Sequence, residues 1–338
     1  MKESRSFSLG QSGSLKDVRL SLANTTRKRL KDILQDWSRP EPFDWRAALA
    51  CLLGGLALWP LTARLPVVGW DWYYWFHAHR VEFYPPWTEL VLSPLNALTW
   101  RSGLALLNAL MLMAVAVGAA KAVDGGRLSR LGAVLLALLT PPVFMALWLG
   151  NIEGLVLLGL VALPPGVVLA LMKPNLTLWA MLARRRWLFW SAALFLGSLL
   201  VWGWWPARTF SEMGRLGENP MTIGWYNLGW PVGLLGAILL LLSNADPLRL
   251  MAAGFLVTPY LMPNHSLLLL PALGRVTGWK RLILWGLAWV SGIASGMNVG
   301  PGRYLGLAFP LAVWWLLKNP ESSADQQEAS TALIEEAA

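Results

Sequence analysis

The chain has 338 residues, 56% of them hydrophobic and only 14% charged, where soluble domains carry roughly a quarter charged. That deficit excludes an ordinary water-soluble domain, and the apolar residues come in blocks bounded by Arg, Lys, Pro or Gly, as membrane segments do. The formal charge of +9 lies mostly in an N-terminal arm and in short loops, so it reads as topology and attraction to anionic lipid, with no nucleic acid as partner. Cys51 is the single cysteine, which excludes an intramolecular disulfide and argues against a metal centre built on thiolates.

Residues 1–46 read as a cytoplasmic basic arm. Within it Leu30, Ile33, Leu34 and Trp37 fall at helical spacing among Arg27, Lys28, Arg29 and Lys31, the pattern of a helix lying on an anionic membrane surface. Pro40 and Pro42 break the chain before a first span over 47–62. Residues 64–86 read as a loop, 87–100 as a segment packed at the interface without crossing, and 104–120 as the next span. A basic turn with Asp124-Gly125-Gly126 leads into 131–150, which contains Pro141 and Pro142, and then into a short span over 151–163. Residues 166–183 are interrupted by Lys173-Pro174-Asn175, and 251–273 by Pro263-Asn264-His265. Spans over 187–205, 228–242, 282–297 and 304–317 bring the set to about ten hydrophobic segments. The predicted fold is therefore all-α, a polytopic membrane helix bundle over 47–317, followed by a disordered cytoplasmic tail over 318–338.

Charge sets the orientation. Simple counting of crossings puts Arg184, Arg185 and Arg186 outside, against the positive-inside rule. Making 166–183 re-entrant moves them inside, and a Pro beside a Lys is tolerated at depth only where protein or a water-filled cavity covers the backbone. A second re-entrant element or helical hairpin follows at 251–273. Both termini are then cytoplasmic in a plasma-membrane protein.

The first outer loop holds the densest chemistry, with Asp71, Tyr74, His77, His79, Arg80 and Tyr84 among many aromatics. A carboxylate at the membrane boundary marks a functional position, whereas aromatics also serve as an interfacial belt. Lys173, inside an apolar run, is either a phosphate-binding cation or one half of a buried pair with Glu153. His265, at a helix break, either orients Asp71 or phosphate or sits as a satisfied histidine in a polar turn. His77 and His79 read as ordinary loop residues, and without an acidic cluster they make no metal site. The second outer loop, 206–227, offers Arg208 as a further phosphate-binding candidate and Trp225, Tyr226 and Asn227 for sugar hydroxyls and ring faces.

Several of these residues stand in a recognisable order. Asp71-x-x-Tyr74, Tyr84-Pro85-Pro86 and Ser93-Pro94, then Gly150-Asn151, Met172-Lys173-Pro174 with Arg184 to Trp187, and Met262-Pro263-Asn264-His265 followed by 267–271, resemble elements of polyprenyl-phosphate-sugar-dependent glycosyltransferases of the GT-C fold. The nearest resemblance is to the alpha-mannosyltransferases that extend phosphatidylinositol mannosides. Departures are visible: Glu153 stands where a polar amide is usual, one His and no Trp remain near His265, and the chain is short.

The resemblance implies a GT-C-like bundle with Asp71 as catalytic base, His265 beside it, and Lys173, Arg80 and Arg208 on the donor phosphate. Tyr74, Tyr84, Trp225, Tyr226 and Asn227 would meet acceptor or sugar, and Asn151 and Glu153 would be polar groups within the membrane. No cofactor or metal is implied. The partners would be a polyprenyl-phosphate sugar donor, a lipid or glycan acceptor, and anionic lipids at the N-terminal arm. One carboxylate suffices for such chemistry, because a lipid phosphate leaves as a stable anion and only the acceptor proton needs a base. Two other classes stay open: a transporter or lipid flippase built on Lys173, Glu153 and the broken helices, and a catalytically silent scaffold.

Overall fold

The computed structural model describes residues 44–78, 83–217, 222–297 and 300–317. Residues 1–43, with the expected surface helix, Arg80 and the tail from 318 onward lie outside the described residues. Among those described, all regular structure is helical.

Helix α1, Trp45–Thr62, lies antiparallel to a later 22-residue helix, Trp100–Lys121 (α3 below). Their register is fixed along its length: Lys121 pairs with Asp44 at 3.2 Å, the Trp59 indole donates to the Ser102 carbonyl at 3.0 Å, and the Thr62 hydroxyl donates to the Ala105 carbonyl at 2.7 Å. Gly54 and Gly55 permit the approach, since a Cβ on either would fall 2.4 Å from Met113 or 2.6 Å from Leu110. The opposite face of α1 exposes Leu52, Leu53 and Leu56. Such an unbroken apolar face has no place in water.

Between them run a π-helical turn, Trp72–His77, and helix α2, Trp87–Asn96. Residues 64–86 are thus not the plain loop expected. The turn is anchored by its aromatics: the Trp72 indole donates to the Trp100 carbonyl at 2.8 Å, and the Asn96 amide to the Phe76 carbonyl at 3.1 Å. Helix α2 buries Trp87, Thr88, Leu92 and Leu95 and exposes Leu90, as a segment packed along one side should.

After α3 the chain breaks repeatedly. Helices α4, Arg127–Leu138, and α5, Pro141–Leu149, meet at 53° where Pro141 and Pro142 start a new helix. Helix α6, Glu153–Val161, has nine residues, about 14 Å of rise, too short for the span expected over 151–163. It is the central strut, buried from Glu153 to Gly159 and packed on α3 through Gly154 and Met111. Short helices α7, Val167–Ala170, and α8, Pro174–Met181, follow on either side of Lys173. Helix α9, Arg185–Trp202, turns by 103° at Gly203 into α10, Trp205–Gly217, so most of the second outer loop expected over 206–227 is helical. Helices α11, Trp225–Leu228, α12, Trp230–Leu242, and α13, Pro247–Val257, lead to a buried 3₁₀ segment, Pro263–Leu269. Helices α14, Ala272–Arg275, α15, Gly278–Met297, and α16, Ala308–Leu316, close the fold.

Among the described residues, α1 and α3 are long and apolar enough to cross a membrane, and the bent pairs α4 with α5 and α9 with α10 raise the number to as many as four if each pair is one span. The expected set of about ten segments is corrected accordingly. Proline and glycine cut most of the apolar runs into pieces too short to span the bilayer alone.

Candidate active site

Two left-handed glycines bring the first outer loop onto the middle of the chain. Gly69 has φ +61° and Gly150, which ends α5, has φ +70°. Few side chains tolerate that conformation. A Cβ on Gly150 would lie 2.8 Å from the Trp72 Cβ and 3.3 Å from the Gly69 backbone. The Gly69 N–H donates to the Trp148 carbonyl at 2.9 Å. With the two backbones in contact, Asp71 and Asn151, one or two residues beyond the glycines, meet side by side.

From Asp71 a continuous polar chain enters the core. The Asn151 amide donates to Asp71 Oδ2 at 2.7 Å. Its oxygen accepts from the Ile152 N–H at 2.8 Å and from Lys173 Nζ at 3.1 Å. Those two donors fix which end of the amide is oxygen, so the NH₂ must face Asp71. Lys173 also donates to Glu153 Oε1 at 2.5 Å, and the Asn264 amide donates to the same oxygen at 2.9 Å. His265 completes the chain: its Nδ1 accepts from the Met262 N–H at 3.1 Å and its Nε2 lies 3.4 Å from Glu153 Oε1. A ring whose Nδ1 accepts is neutral with its proton on Nε2, which here lies 3.4 Å from both the Glu153 carboxylate and the Lys173 ammonium.

Lys173, Glu153, Asn264 and His265 are all buried. A charged pair at such depth persists only when well paired and hydrogen-bonded; here Lys173 has two acceptors and Glu153 Oε1 two donors, while Glu153 Oε2 is buried without a partner among the described residues. Aromatic rings enclose it: Tyr84 lies under the ammonium at 5.6 Å, and Tyr260 meets His265 edge-on at 5.4 Å. A cavity of about 20 Å³ between Phe83, Tyr84, Lys173, Asn175, Tyr260 and His265 reaches the inner end of the chain. That is room for about one water-sized group.

Asp71 is only partly buried, at the outer end. Burial pushes its carboxyl up to about 6 from 3.8; Lys173 and the Asn151 hydrogen bond oppose the rise and the Glu153 charge adds to it. A carboxylate of that strength is a far better proton acceptor near neutrality than an ordinary aspartate.

The structure thus joins five of the residues singled out in the sequence, Asp71, Asn151, Glu153, Lys173 and His265, and sets Tyr84 against them. His265 touches Glu153 and Lys173 and has no hydrogen bond to Asp71 among the described residues. Tyr74 is exposed and meets Trp70 at a tilt, with ring centroids 4.2 Å apart, one turn beyond Asp71. Trp225, Tyr226 and Asn227 lie on a segment that packs against the Tyr260 stretch, with the Ile223 N–H donating to the Leu261 carbonyl at 2.8 Å and the Trp225 indole to the Val257 carbonyl at 2.8 Å. Arg208 is exposed on α10, with no contact to this chain of residues among those described. Sequence reasoning missed Tyr260 and the amide of Asn264. An Asn beside a Pro in an apolar stretch was the available signal for the second. No group of acidic, His or Cys side chains suited to a metal occurs among the described residues.

No family model, curated protein or solved structure matches the chain.

Proposed function

We propose that the chain is a plasma-membrane glycosyltransferase. It moves a sugar, a mannose-like hexose in the favoured case, from a polyprenyl-phosphate donor to a lipid-linked or cell-envelope acceptor on the outer face. Asp71 takes the proton of the acceptor hydroxyl while that oxygen forms its bond to the anomeric carbon. The bond from that carbon to the phosphate oxygen breaks, its electron pair leaving with the polyprenyl phosphate, and the anomeric centre inverts. The observation that carries this reading is a carboxyl raised to about 6 and held by a rigid amide that is itself pinned by Lys173. The ordered resemblance from Asp71 to residue 271 supports the substrate class. Exposed Tyr74 and Tyr226 offer ring faces to sugars on the side of Asp71 and on the neighbouring segment.

The test uses purified protein in proteoliposomes with several radiolabelled polyprenyl-phosphate sugars and a mixed lipid extract. The reading expects transfer by wild type and its loss in Asp71→Asn; a mutant that transfers as well as wild type overturns it. Orientation is tested by single-cysteine labelling in a Cys51→Ala background, with Glu82→Cys reacting from outside and Asn244→Cys from inside. The buried Lys173–Glu153 pair also favours a carrier as a second reading, because paired ions at depth mark transport sites. A carrier requires that Glu153→Gln abolish substrate movement while Asp71→Asn is tolerated.

A further inference from the structure

The end of the molecule remote from Asp71 carries an apolar groove with a basic mouth. Helix α3 runs from Trp100, which touches the Asp71 turn, to Lys121, about 30 Å away. There the last turns of α3 and α6 and the first turns of α9 and α13 leave a groove of about 190 Å³, walled by Gly118, Leu157, Val161, Trp187, Met251 and Pro271. Gly118 keeps it open, since a Cβ there would stand 3.3 Å from Pro271 and 3.5 Å from Val161. Lys121, at the rim, is the only charged side chain in its lining.

Charge around the mouth is one-sided. Asp44 is paired with Lys121, and Asp246 with Arg275 while it also caps α13. Asp124 lies in the turn beyond Lys121, close in sequence to Arg127 and Arg130. Trp187, on the groove wall, has the Arg184 guanidinium 5.9 Å above its ring. Arg185 and Arg186 come just before Trp187 in the same helix, both exposed, and with Phe189 they line a separate surface depression. No carboxylate pairs with either of them among the described residues. A small apolar groove with Lys121 in its lining, the Arg184 guanidinium over its Trp187 wall and two further exposed arginines at the start of the same helix matches one kind of occupant: an acyl chain that carries a negative headgroup.

We propose that this groove binds an anionic phospholipid of the inner leaflet, with one acyl chain between α3, α6 and α13 and its phosphate against Arg185 and Arg186. The site rests on the membrane reading and is independent of glycosyl transfer. Val161 ends the helix that Glu153 begins, and Ala180, also in the lining, lies on the helix that follows Lys173. A bound lipid therefore braces the two short helices that hold the buried ion pair.

The full chain is purified in mild detergent, delipidated and reconstituted into phosphatidylcholine nanodiscs containing a minor share of phosphatidylglycerol. It is then re-extracted, and the lipids that stay with it are quantified by mass spectrometry. The expected result is several-fold enrichment of phosphatidylglycerol over its input share, together with a higher thermal midpoint than in phosphatidylcholine alone. Arg185→Gln with Arg186→Gln, exposed changes that leave the core intact, should return the enrichment to the input value. Leu160 also lines the groove, and Leu160→Trp should do the same by filling it while leaving the charge in place. Equal retention of both lipids in a protein that enters the bilayer overturns the site alone. So does enrichment that survives Leu160→Trp in a folded variant, because that reports attraction to a basic surface only. A chain recovered without detergent from the soluble fraction overturns the membrane reading along with the site.

Discussion

Replacing Lys173 by Met removes the centre of the polar chain while keeping its length and most of its volume. Glu153 Oε1 loses its 2.5 Å donor, and Asn151 Oδ1 loses its 3.1 Å donor. Asn264 and His265 remain as neutral donors, but they do not cancel a charge, and Glu153 Oε2 is already buried without a partner. Removing one member of a buried pair typically costs about 3–5 kcal/mol, because the other is left charged and uncompensated. For a chain of this size that lowers the thermal midpoint by on the order of 10 °C. Adding Glu153→Gln removes the orphaned charge, leaves an acceptor for Asn264 and His265, and should restore more than half of the loss. A second readout is independent of stability: Lys173 holds the Asp71 carboxyl down, so its removal moves the acid limb of any activity profile upward. Thermal unfolding of the single and double variants in nanodiscs checks the first effect. If Lys173→Met costs less than about 1 kcal/mol, the level of a surface pair, or if Glu153→Gln brings no recovery, the buried-pair account is wrong.

Asp71→Asn should stabilise the protein at pH 8 by on the order of 2 kcal/mol, discounted for the partial exposure of the group. A carboxyl raised from 3.8 to about 6 contributes stability that is full below pH 4 and lost as pH rises through 6. The gain should therefore vanish at pH 4, and a gain that is the same at both values contradicts the assignment. Asn151→Leu removes the hydrogen bond that Asp71 accepts from Asn151 and should move the acid limb of the activity profile upward, with a lowered thermal midpoint because Lys173 Nζ and the Ile152 N–H lose their acceptor; an unmoved limb rejects the role given to Asn151. Gly150→Ala forces a side chain into a left-handed position 2.5 Å from Leu104 and should cost about 2 kcal/mol or more, read as a lowered midpoint.

The fold was legible where composition decides. Two long apolar helices with little charge could be placed to within a few residues, because the one proline in them, Pro60, falls in the last turn of the first. Broken runs were harder. The stretch 151–163 reads as a span by hydropathy, yet Leu163-Pro164-Pro165 and the turn at Asn151 leave nine helical residues, all of which find protein neighbours. Length in an apolar run does not distinguish lipid from protein interior. The second outer loop hid a helix for the opposite reason, since Arg208, Glu212 and Arg215 look like solvated turn residues although they lie on one amphipathic helix.

In the site, the residue types were visible and the partnerships only in part. Glu153 and Lys173 stand out as charges in apolar surroundings, and their pairing was one of two readings. The link from Asn151 to Asp71 depends on Gly69 and Gly150 adopting positive φ, and glycine has no signature that separates such a role from ordinary close packing. His265 shows the same limit: a histidine at a helix break signals chemistry, but only the Met262 N–H on its Nδ1 settles which nitrogen carries the proton.

The central claim is that Asp71 is the base for sugar transfer. The most direct test is transfer of radiolabelled mannose from polyprenyl phosphate by wild type and Asp71→Asn, each in proteoliposomes across pH 5 to 8, with folding of both verified by thermal midpoint. The account predicts a wild-type rate that rises with a midpoint near pH 6, and a folded Asn variant whose rate is lower by at least about a hundredfold at every pH. A folded Asp71→Asn protein that transfers sugar at the wild-type rate contradicts it.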